Sequence, residues 1–256
     1  MPFRRTDQLP LLLKTKRKRP QSIQQQEAPI EQASPPDSSS LKLLAPQSPA
    51  APLPPSYQTV LTNDAFKVIS VQYGPHEKVP VHDHPATPTV FVYLNNSGPV
   101  NIIHDGNPPS TVTRPPTQLG AFRFNRGLIE RHSIENLSDL PSLFLRVELP
   151  NLNLPDNPPD FRGPAPTDLT HNINETEFSS PHVTVLRVVC VNPAPCDVPP
   201  TAAPSVLIAF SSTSLTHDGQ TTKIGAGTVL PIAPNQSFKI SPITSEPAHI
   251  LLISRH

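Results

Sequence analysis

The stretch VPVHDHPATPTVFVYL (residues 79–94) has two histidines one residue apart, followed by a run of β-branched and aromatic residues. Side chains alternate between the two faces of a strand, so His82 and His84 point to one face and Asp83 to the other. Burying an imidazole without a polar partner costs about 1–3 kcal/mol. A metal ion shared by both rings would supply that partner. The spacing alone is a weak signal, and its meaning depends on the surrounding sequence.

Short strand-like segments separated by turn signals run from Tyr57 to the end of the chain. β-Branched and aromatic residues alternate with polar ones in FKVISVQY (residues 66–73), and similar segments recur as far as AHILLIS (residues 248–254). Helical periodicity is nearly absent. The pattern therefore predicts an all-β protein.

The two β-rich parts of this region read as copies of one unit. Residues 67–94 align with 183–210 without a gap, and the tripeptide HDG occurs at 104–106 and again at 217–219. Asp-Gly between two strands favours a tight hairpin, because glycine tolerates positive φ. The repeat predicts two tandem β-barrels, each a small jelly roll that closes its own sheet edges.

Composition divides the chain further. Residues 1–55 are rich in Pro, Gln and Ser and are predicted to form a disordered tail, and residues 151–181 a proline-rich linker. The two barrels then occupy residues 56–150 and 182–256. The chain has 37 prolines in 256 residues and a hydrophobic fraction of 36%, as expected if part of it has no core.

The sequence around the histidine pair resembles the two conserved motifs of the cupin superfamily. PHEKVPVHDHP with TVFVYL is similar to the first motif, in which a His-x-His pair precedes a glutamate, and RHSIENLSD is similar to the end of the second. His82 and His84 match the pair, His132 the later histidine, and Asn136 the asparagine after it. The resemblance implies a bicupin, with two double-stranded β-helix barrels. It also implies a divalent transition metal (Fe, Mn, Ni, Cu or Zn) held by His82, His84 and His132 in the first barrel.

The chain departs from the family pattern beside these residues. Thr89 stands where the family has its glutamate, and His76 replaces the glycine of a turn that favours positive φ. Three neutral imidazoles without a carboxylate favour imidazole-preferring ions over hard, oxygen-preferring ones. Glu77 could replace the missing carboxylate, although a turn residue is not expected to point inward. Glu130 shares a predicted inward face with His132.

The second copy lacks the histidines. The alignment of the repeat places Val198 and Pro200 where the first copy has His82 and His84. Gly227 to Lys239 spans the same twelve residues as Gly120 to His132, so Lys239 takes the place of His132. An ammonium group beside two apolar residues cannot bind a cation. The second barrel is therefore predicted to be metal-free, with a structural or interface role.

Two functions fit these features. In the first, the chain is a metal-dependent enzyme, such as an oxygenase, that acts on a small organic molecule in the first barrel. In the second, it is a non-catalytic ligand-binding or interaction protein, and its vestigial site has imidazoles satisfied by hydrogen bonds or water. The fold alone does not choose between them.

Charge and hydropathy exclude several classes of partner. The formal net charge is zero, which gives no reason to expect a nucleic acid, and no apolar run approaches the roughly 18–20 residues of a membrane span. We therefore expect a small-molecule ligand, and the family resemblance implies a homodimer. A cytoplasmic location is expected, while KTKRKRP (residues 14–20) resembles a nuclear-localisation signal and leaves a nuclear location open.

The chain has two cysteines, six residues apart. Cys190 and Cys196 could bridge the loop CVNPAPC. We predict instead two ordinary thiols at the end of a strand, because one close pair of cysteines carries little information.

Overall fold

The structure, a computed structural model, describes residues 52–127, 130–152, 154, 161–191 and 193–256. The predicted tail of residues 1–55, with its KTKRKRP stretch, lies outside these ranges except for residues 52–55. Every regular element in the described ranges is a β-strand, which confirms the prediction of an all-β protein. No helix long and apolar enough to cross a membrane occurs in this part of the chain.

Ten strands form the first barrel. They are β1 (Tyr57–Thr62), β2 (Lys67–Tyr73), β3 (Lys78–His84), β4 (Thr89–Tyr93), β5 (Val100–His104), β6 (Ser110–Arg114), β7 (Phe122–Asn125), β8 (Glu130–Asn136), β9 (Ser142–Glu148) and β10 (Phe161–Gly163). One sheet has six strands in the order β1-β2-β9-β4-β7-β10, and the other has four in the order β3-β8-β5-β6. All of the pairings are antiparallel.

Nine strands form the second barrel. They are β11 (Ile173–Ser179), β12 (Val183–Cys190), β13 (Cys196–Val198), β14 (Ser205–Ala209), β15 (Thr213–His217), β16 (Gln220–Ile224), β17 (Val229–Ile232), β18 (Phe238–Pro242) and β19 (Ala248–Arg255). The sheet orders β11-β12-β19-β14-β17 and β13-β18-β15-β16 repeat those of the first barrel without its last strand, β10. Strands β10 and β11 lie inside the predicted linker, so this stretch adds a strand to each barrel.

The largest apolar cluster lies between the barrels. Alternate residues of β2, β4, β7 and β9 point away from the first barrel's interior and join alternate residues of β12, β14 and β19 in one buried cluster. Phe122 and Phe124 contribute from the first barrel, and Val206, Ile208 and Leu251 from the second. The two large sheets therefore pack face to face, as in a β-sandwich.

Two predicted turns can be compared with the structure. His76 has a φ of 53°, which confirms that a residue tolerant of positive φ is needed there. Asp218 and Gly219, at φ values of 49° and 74°, form the tight two-residue hairpin that HDG predicts at 217–219. The prediction is wrong for HDG at 104–106, where His104 pairs with Ser110 and the loop has five residues.

The prediction of two free thiols is also wrong. Cys190 and Cys196 form a disulfide with an S–S distance of 2.02 Å. The bond joins the last residue of β12 to the first residue of β13. The intervening loop brings the two Cα atoms to 5.9 Å, within the range that a disulfide spans.

A buried arginine ties the second barrel to the first. Arg187 of β12 is fully buried, and its guanidinium donates to both carboxylate oxygens of Glu177, at 2.6 and 2.9 Å. It also donates to Nε2 of His249 at 2.7 Å and to the carbonyl oxygen of Gly120, in the first barrel, at 2.8 Å. Burial and the neighbouring Arg187 cation lower the pKa of His249 to about 3, so this ring is neutral and can accept the bond.

Replacing Arg187 tests this tie between the barrels. We expect Arg187→Met to lower the free energy of unfolding by about 3–5 kcal/mol, because it leaves a carboxylate and a carbonyl oxygen without their buried donor. Arg131→Met is a matched control, since Arg131 is exposed and pairs with the partly exposed Asp83 and Asp105. We expect a cost of at most about 1 kcal/mol for the control in urea unfolding. Equal costs for the two variants would contradict a special role for Arg187.

His249 also makes the fold sensitive to acid. Between pH 6.5 and about 3 the unfolded chain binds a proton at this ring that the folded chain does not, so the free energy of unfolding falls as the pH is lowered. His249→Gln removes the titration but keeps an oxygen that accepts from Arg187. Between pH 7 and pH 5 we expect the variant to lose about 2 kcal/mol less stability than the parent chain. Parallel urea unfolding curves at the two pH values measure the difference, and identical losses would refute it.

Candidate metal centre

Three histidines converge inside the first barrel. His82 and His84 lie on β3 and His132 on β8, and the two strands pair so that His82 stands opposite His132. The three residues are only 4%, 2% and 5% exposed. Their candidate ligand atoms all lie within 4.8 Å of one another. An ion at about 2.1 Å from each nitrogen needs them no more than about 4.2 Å apart, so the ligand atoms would have to move closer together to hold one.

A β-bulge sets the direction of the histidine pair. Val79 pairs with Ile134 and His82 with His132, so Pro80 and Val81 on β3 face a single residue of β8. Val79 and His82 both point inward although they are three residues apart, and both intervening side chains are exposed. Proline is tolerated at a bulge because it needs no ladder hydrogen bond there. The bulge is thus what turns both histidines toward the interior.

Hydrogen bonds fix the tautomer of His82. Its Nδ1 lies 2.8 Å from the carbonyl oxygen of Pro80, which can only accept, so Nδ1 carries the proton. Nε2 is then an acceptor and receives the hydroxyl of Tyr57 at 2.9 Å. The hydroxyl of Tyr73 lies 2.6 Å from that of Tyr57 and extends the chain of bonds. The Nε2 lone pair of His82 is thus occupied by a single hydroxyl group.

The other two rings each have a buried nitrogen without a partner. Nε2 of His84 and Nδ1 of His132 are inaccessible to solvent and have no hydrogen-bond partner among the described residues. Leaving such atoms unsatisfied costs about 1–3 kcal/mol each. Since both rings pack against His82, with centroids 4.9 and 4.8 Å from its ring, a single ion between the three would satisfy them together. The residues present therefore fit a metal ion.

The rings are held in the neutral form that ligates metals. Burial, followed by the nearby Arg146 cation, lowers the pKa of His84 to about 2. Burial and the neighbouring His82 lower the pKa of His132 to about 3, and burial also lowers the pKa of His82. At neutral pH all three imidazoles are uncharged, so binding an ion displaces no proton from them.

Glu130 lies beside the trio and Glu148 lies on the opposite sheet, and neither is at the position that the family pattern implies. Thr89 is buried at that position, and its hydroxyl donates to the carbonyl of Thr87. Glu148 is the Cα partner of Thr89 on β9, and Oε1 of Glu148 accepts from Nε of Arg146 at 3.3 Å. Oε2 of Glu130 lies 3.5 Å from Nη1 of Arg146 and 4.0 Å from Nδ1 of His132. Sequence reasoning missed Glu148 and Arg146, although two charged residues in the apolar strand SLFLRVEL were a usable signal.

The remaining sequence candidates fall into two groups. Glu130 points inward as predicted, toward an interior whose wall also includes Arg123 and Tyr93. Glu77 does not join the histidines, because its carboxylate accepts from the backbone N–H of Gly74 and the hydroxyl of Ser56. Asn136 is also structural, since its amide donates to the carbonyls of Gly74 and Leu140.

A cavity of about 60 Å³ opens beside the histidines. His132 and Glu130 lie on its wall, and the other lining residues are mainly aromatic and basic. They are Tyr57, Tyr73, Phe91, Tyr93, Val100, Ile102, Arg114, Arg123, Ile134, Phe144 and Arg146. Aromatic and aliphatic side chains together with convergent polar groups are typical of the wall of a small-molecule site.

The second barrel has no such centre among its described residues. Val198 pairs with Phe238, so the residue at the position of His132 is Phe238 and not Lys239, as the sequence alignment predicted. Lys239 points outward and pairs with Asp197 at 3.0 Å. The alignment fails because the equivalent positions are ten residues apart in the first barrel, from Phe122 to His132, and nine apart in the second, from Val229 to Phe238. Val198 and Phe238 are buried and apolar, in agreement with a metal-free interior.

No family model and no curated protein matches this chain in sequence. Many solved structures are similar in fold, and three of them are described here. The protein YhaK from Escherichia coli has a TM-score of 0.53 at 12% identity, over 78% of this chain and 91% of its own. AerE from Microcystis aeruginosa has a TM-score of 0.52 at 13% identity, over 79% of this chain and 98% of its own.

The third is the bacterial pirin YhhW from Escherichia coli, a structure in complex with nickel(II). Its TM-score is 0.53 at 14% identity, over 74% of this chain and 82% of its own. At these identities the likeness concerns the fold. Together with the paired jelly-roll sheets and the inward histidines, it shows that the chain has the fold of the cupin superfamily.

Proposed function

We propose that the first barrel binds one divalent transition metal ion through His82, His84 and His132, and that the adjoining cavity receives a small organic molecule. The observation that carries the proposal is the pair of buried nitrogens, on His84 and His132, that face a third imidazole and have no other partner. Three neutral imidazoles without a carboxylate ligand favour nickel, copper, zinc or ferrous iron over hard ions such as magnesium.

The surrounding residues prepare the interior for such a role. A bound ion in this position would supply Lewis acidity or activate water or oxygen, which suits a metal-dependent enzyme such as an oxygenase. His132 joins the trio to the cavity wall, so a molecule in the cavity lies next to the proposed ligands. Glu130 lies 4.0 Å from Nδ1 of His132. It is placed to accept a proton from a molecule held in the cavity or to return a proton to it.

One observation favours the alternative, a ligand-binding protein with a vestigial site. Nε2 of His82 already receives a hydrogen bond from Tyr57, so one of the three imidazoles is satisfied without an ion. In that case the cavity would bind its molecule whether or not metal is present. The two functions therefore differ in whether binding of metal is stoichiometric.

Metal content separates these functions. For chain purified without chelator and loaded with nickel or zinc, we expect about one ion per chain. The ion should raise the free energy of unfolding by about 2.7 kcal/mol when its free concentration is 100 times Kd. His82→Ala should weaken binding by at least about 100-fold, because even residues that only orient metal ligands are worth 10–100-fold.

His171→Ala serves as the matched control, because His171 is exposed and lies away from the trio. It should bind the ion as tightly as the parent chain. Elemental analysis and thermal unfolding with and without the ion give the two readouts. Substoichiometric metal in the parent chain, or equal metal affinities for the parent and His82→Ala chains, would favour the alternative, a ligand-binding protein with a vestigial site.

The hydroxyl of Tyr57 is expected to compete with the ion for Nε2 of His82. Tyr57→Phe removes that competitor and keeps the ring packed against His82. We expect metal affinity to rise by about two- to tenfold, the equivalent of one hydrogen bond worth about 0.5–1.5 kcal/mol. A loss of affinity in isothermal titration would show instead that Tyr57 contributes to holding the ion.

A further inference from the structure

The cavity of the first barrel carries more positive charge than its carboxylates balance. Three arginines, Arg114, Arg123 and Arg146, line it, whereas Glu130 is the acidic residue on its wall. Guanidinium groups stay charged under all ordinary conditions. Each of them in this interior therefore needs hydrogen-bond acceptors for its N–H groups, and an anion is the strongest of these.

Arg146 is neutralised from within the protein. Its guanidinium lies 3.3 Å from Glu148 and 3.5 Å from Glu130 and stacks 5.2 Å from the ring centre of Phe91. Glu148 is 3% exposed and Arg146 is 5% exposed, so this ion pair is shielded from water. The carboxylates near the cavity are thus already committed to one of its three arginines.

Arg114 and Arg123 have no carboxylate partner among the described residues. Arg114 donates to the hydroxyl of Ser142 at 2.9 Å and packs over Tyr93 and Phe144, but its buried Nε has no acceptor. Arg123 lies 5.0 Å above the ring centre of Phe91, and its buried Nε also has no acceptor. Two arginines on the wall of one cavity therefore each have a buried N–H group without an acceptor among the described residues.

We propose that this cavity binds a small carboxylic acid as its anion, with the carboxylate on Arg123 and Arg114. The rigid donor fork of arginine matches the two oxygens of a carboxylate. The aromatic rings of Phe91, Tyr93 and Phe144 give the apolar part of the molecule a wall to pack against. The volume of about 60 Å³ holds roughly four to six waters, which selects a compact acid. The inference rests on the proposed function and names its substrate class.

The tyrosines give a direct readout. The chain has three tyrosines and no tryptophan, and all three tyrosines (Tyr57, Tyr73 and Tyr93) line this cavity. Tyrosine fluorescence of the full chain therefore reports on the site alone. Propionate is the probe, and propionamide, which has the same shape without the charge, is its control. Inorganic phosphate tests whether any small oxyanion suffices.

We expect propionate, and neither propionamide nor phosphate, to change the fluorescence of the nickel-loaded chain in a saturable way. Arg123→Gln should weaken propionate binding by at least about tenfold, because it removes a charge-assisted bond. Arg123→Lys should restore part of the affinity. Arg126→Gln, a change at an exposed arginine outside the lining, should leave affinity unchanged within about twofold.

The outcomes separate this inference from the metal site. Nickel affinity and thermal unfolding of each variant are measured in parallel, so a folded Arg123→Gln chain that binds nickel normally and propionate weakly supports the proposal. A chain that binds nickel but gives no response to propionate, or responds equally to propionamide or phosphate, overturns it and leaves the metal site standing. Equal propionate affinity in the parent and Arg123→Gln chains also overturns it. A response to propionate in chelator-treated chain supports the carboxylate site independently of the ion.

Discussion

The face-to-face packing of the two large sheets is the contact on which the rest of the structure depends. A β-sheet has two faces, and a domain needs at least one of them buried against apolar partners. Here the outward face of the first barrel's large sheet, with Phe122, Phe124 and Val147, is buried against the second barrel. Part of the apolar burial that stabilises this sheet thus comes from outside the first barrel, and part comes from a cluster inside it that includes Ile69, Val71 and Phe144. Its inward face carries Arg123, Arg146 and Glu148, opposite the sheet that holds the histidines.

The second barrel supplies apolar contacts that help to stabilise a first barrel with polar residues in its interior. Its own interior is filled with apolar side chains such as Val198, Phe238 and Ile240, so it has core on both faces of its large sheet. The guanidinium of Arg187 reaches from this barrel to the carbonyl of Gly120, which holds the turn before β7 in place. The two copies share one strand order but differ in their interiors, which are apolar in the second barrel and lined by histidines and charged residues in the first.

Much of the fold was predictable because strand alternation and turn residues act locally. The pairing of His82 with His84 on one face, the hairpin at Asp218-Gly219 and the tandem repeat all follow from neighbours in sequence. The convergence of His132 on that pair depended on the family resemblance, since the two strands that carry them are separated by almost fifty residues.

What the sequence did not reveal depends on contacts between distant residues. The chain before β18 is one residue shorter than the sequence alignment assumes, so Lys239 lies at the surface and not in the interior. Only the pairing of β13 with β18 shows this shift. Glu148 comes to lie beside Thr89 because β9 pairs with β4, and its neighbour Arg146 reaches back to Glu130 on the opposite sheet. The prediction of two free thiols fails because the spacing of two cysteines does not determine how the loop between them bends. Pairing register decides the positions of Lys239 and Glu148, and loop geometry decides the disulfide.

The charges inside the first barrel link the proposed ion to the proposed anion. Three guanidinium groups face two carboxylates there, so the interior carries a net positive charge before any ligand enters. Three neutral imidazoles bring no negative charge to offset a divalent cation, and isolated charge in a water-poor cavity is costly. An anion on Arg123 lowers that cost for the cation, and the cation in turn favours the anion. Because such coupling between two sites is reciprocal, each ligand should tighten the binding of the other by the same factor.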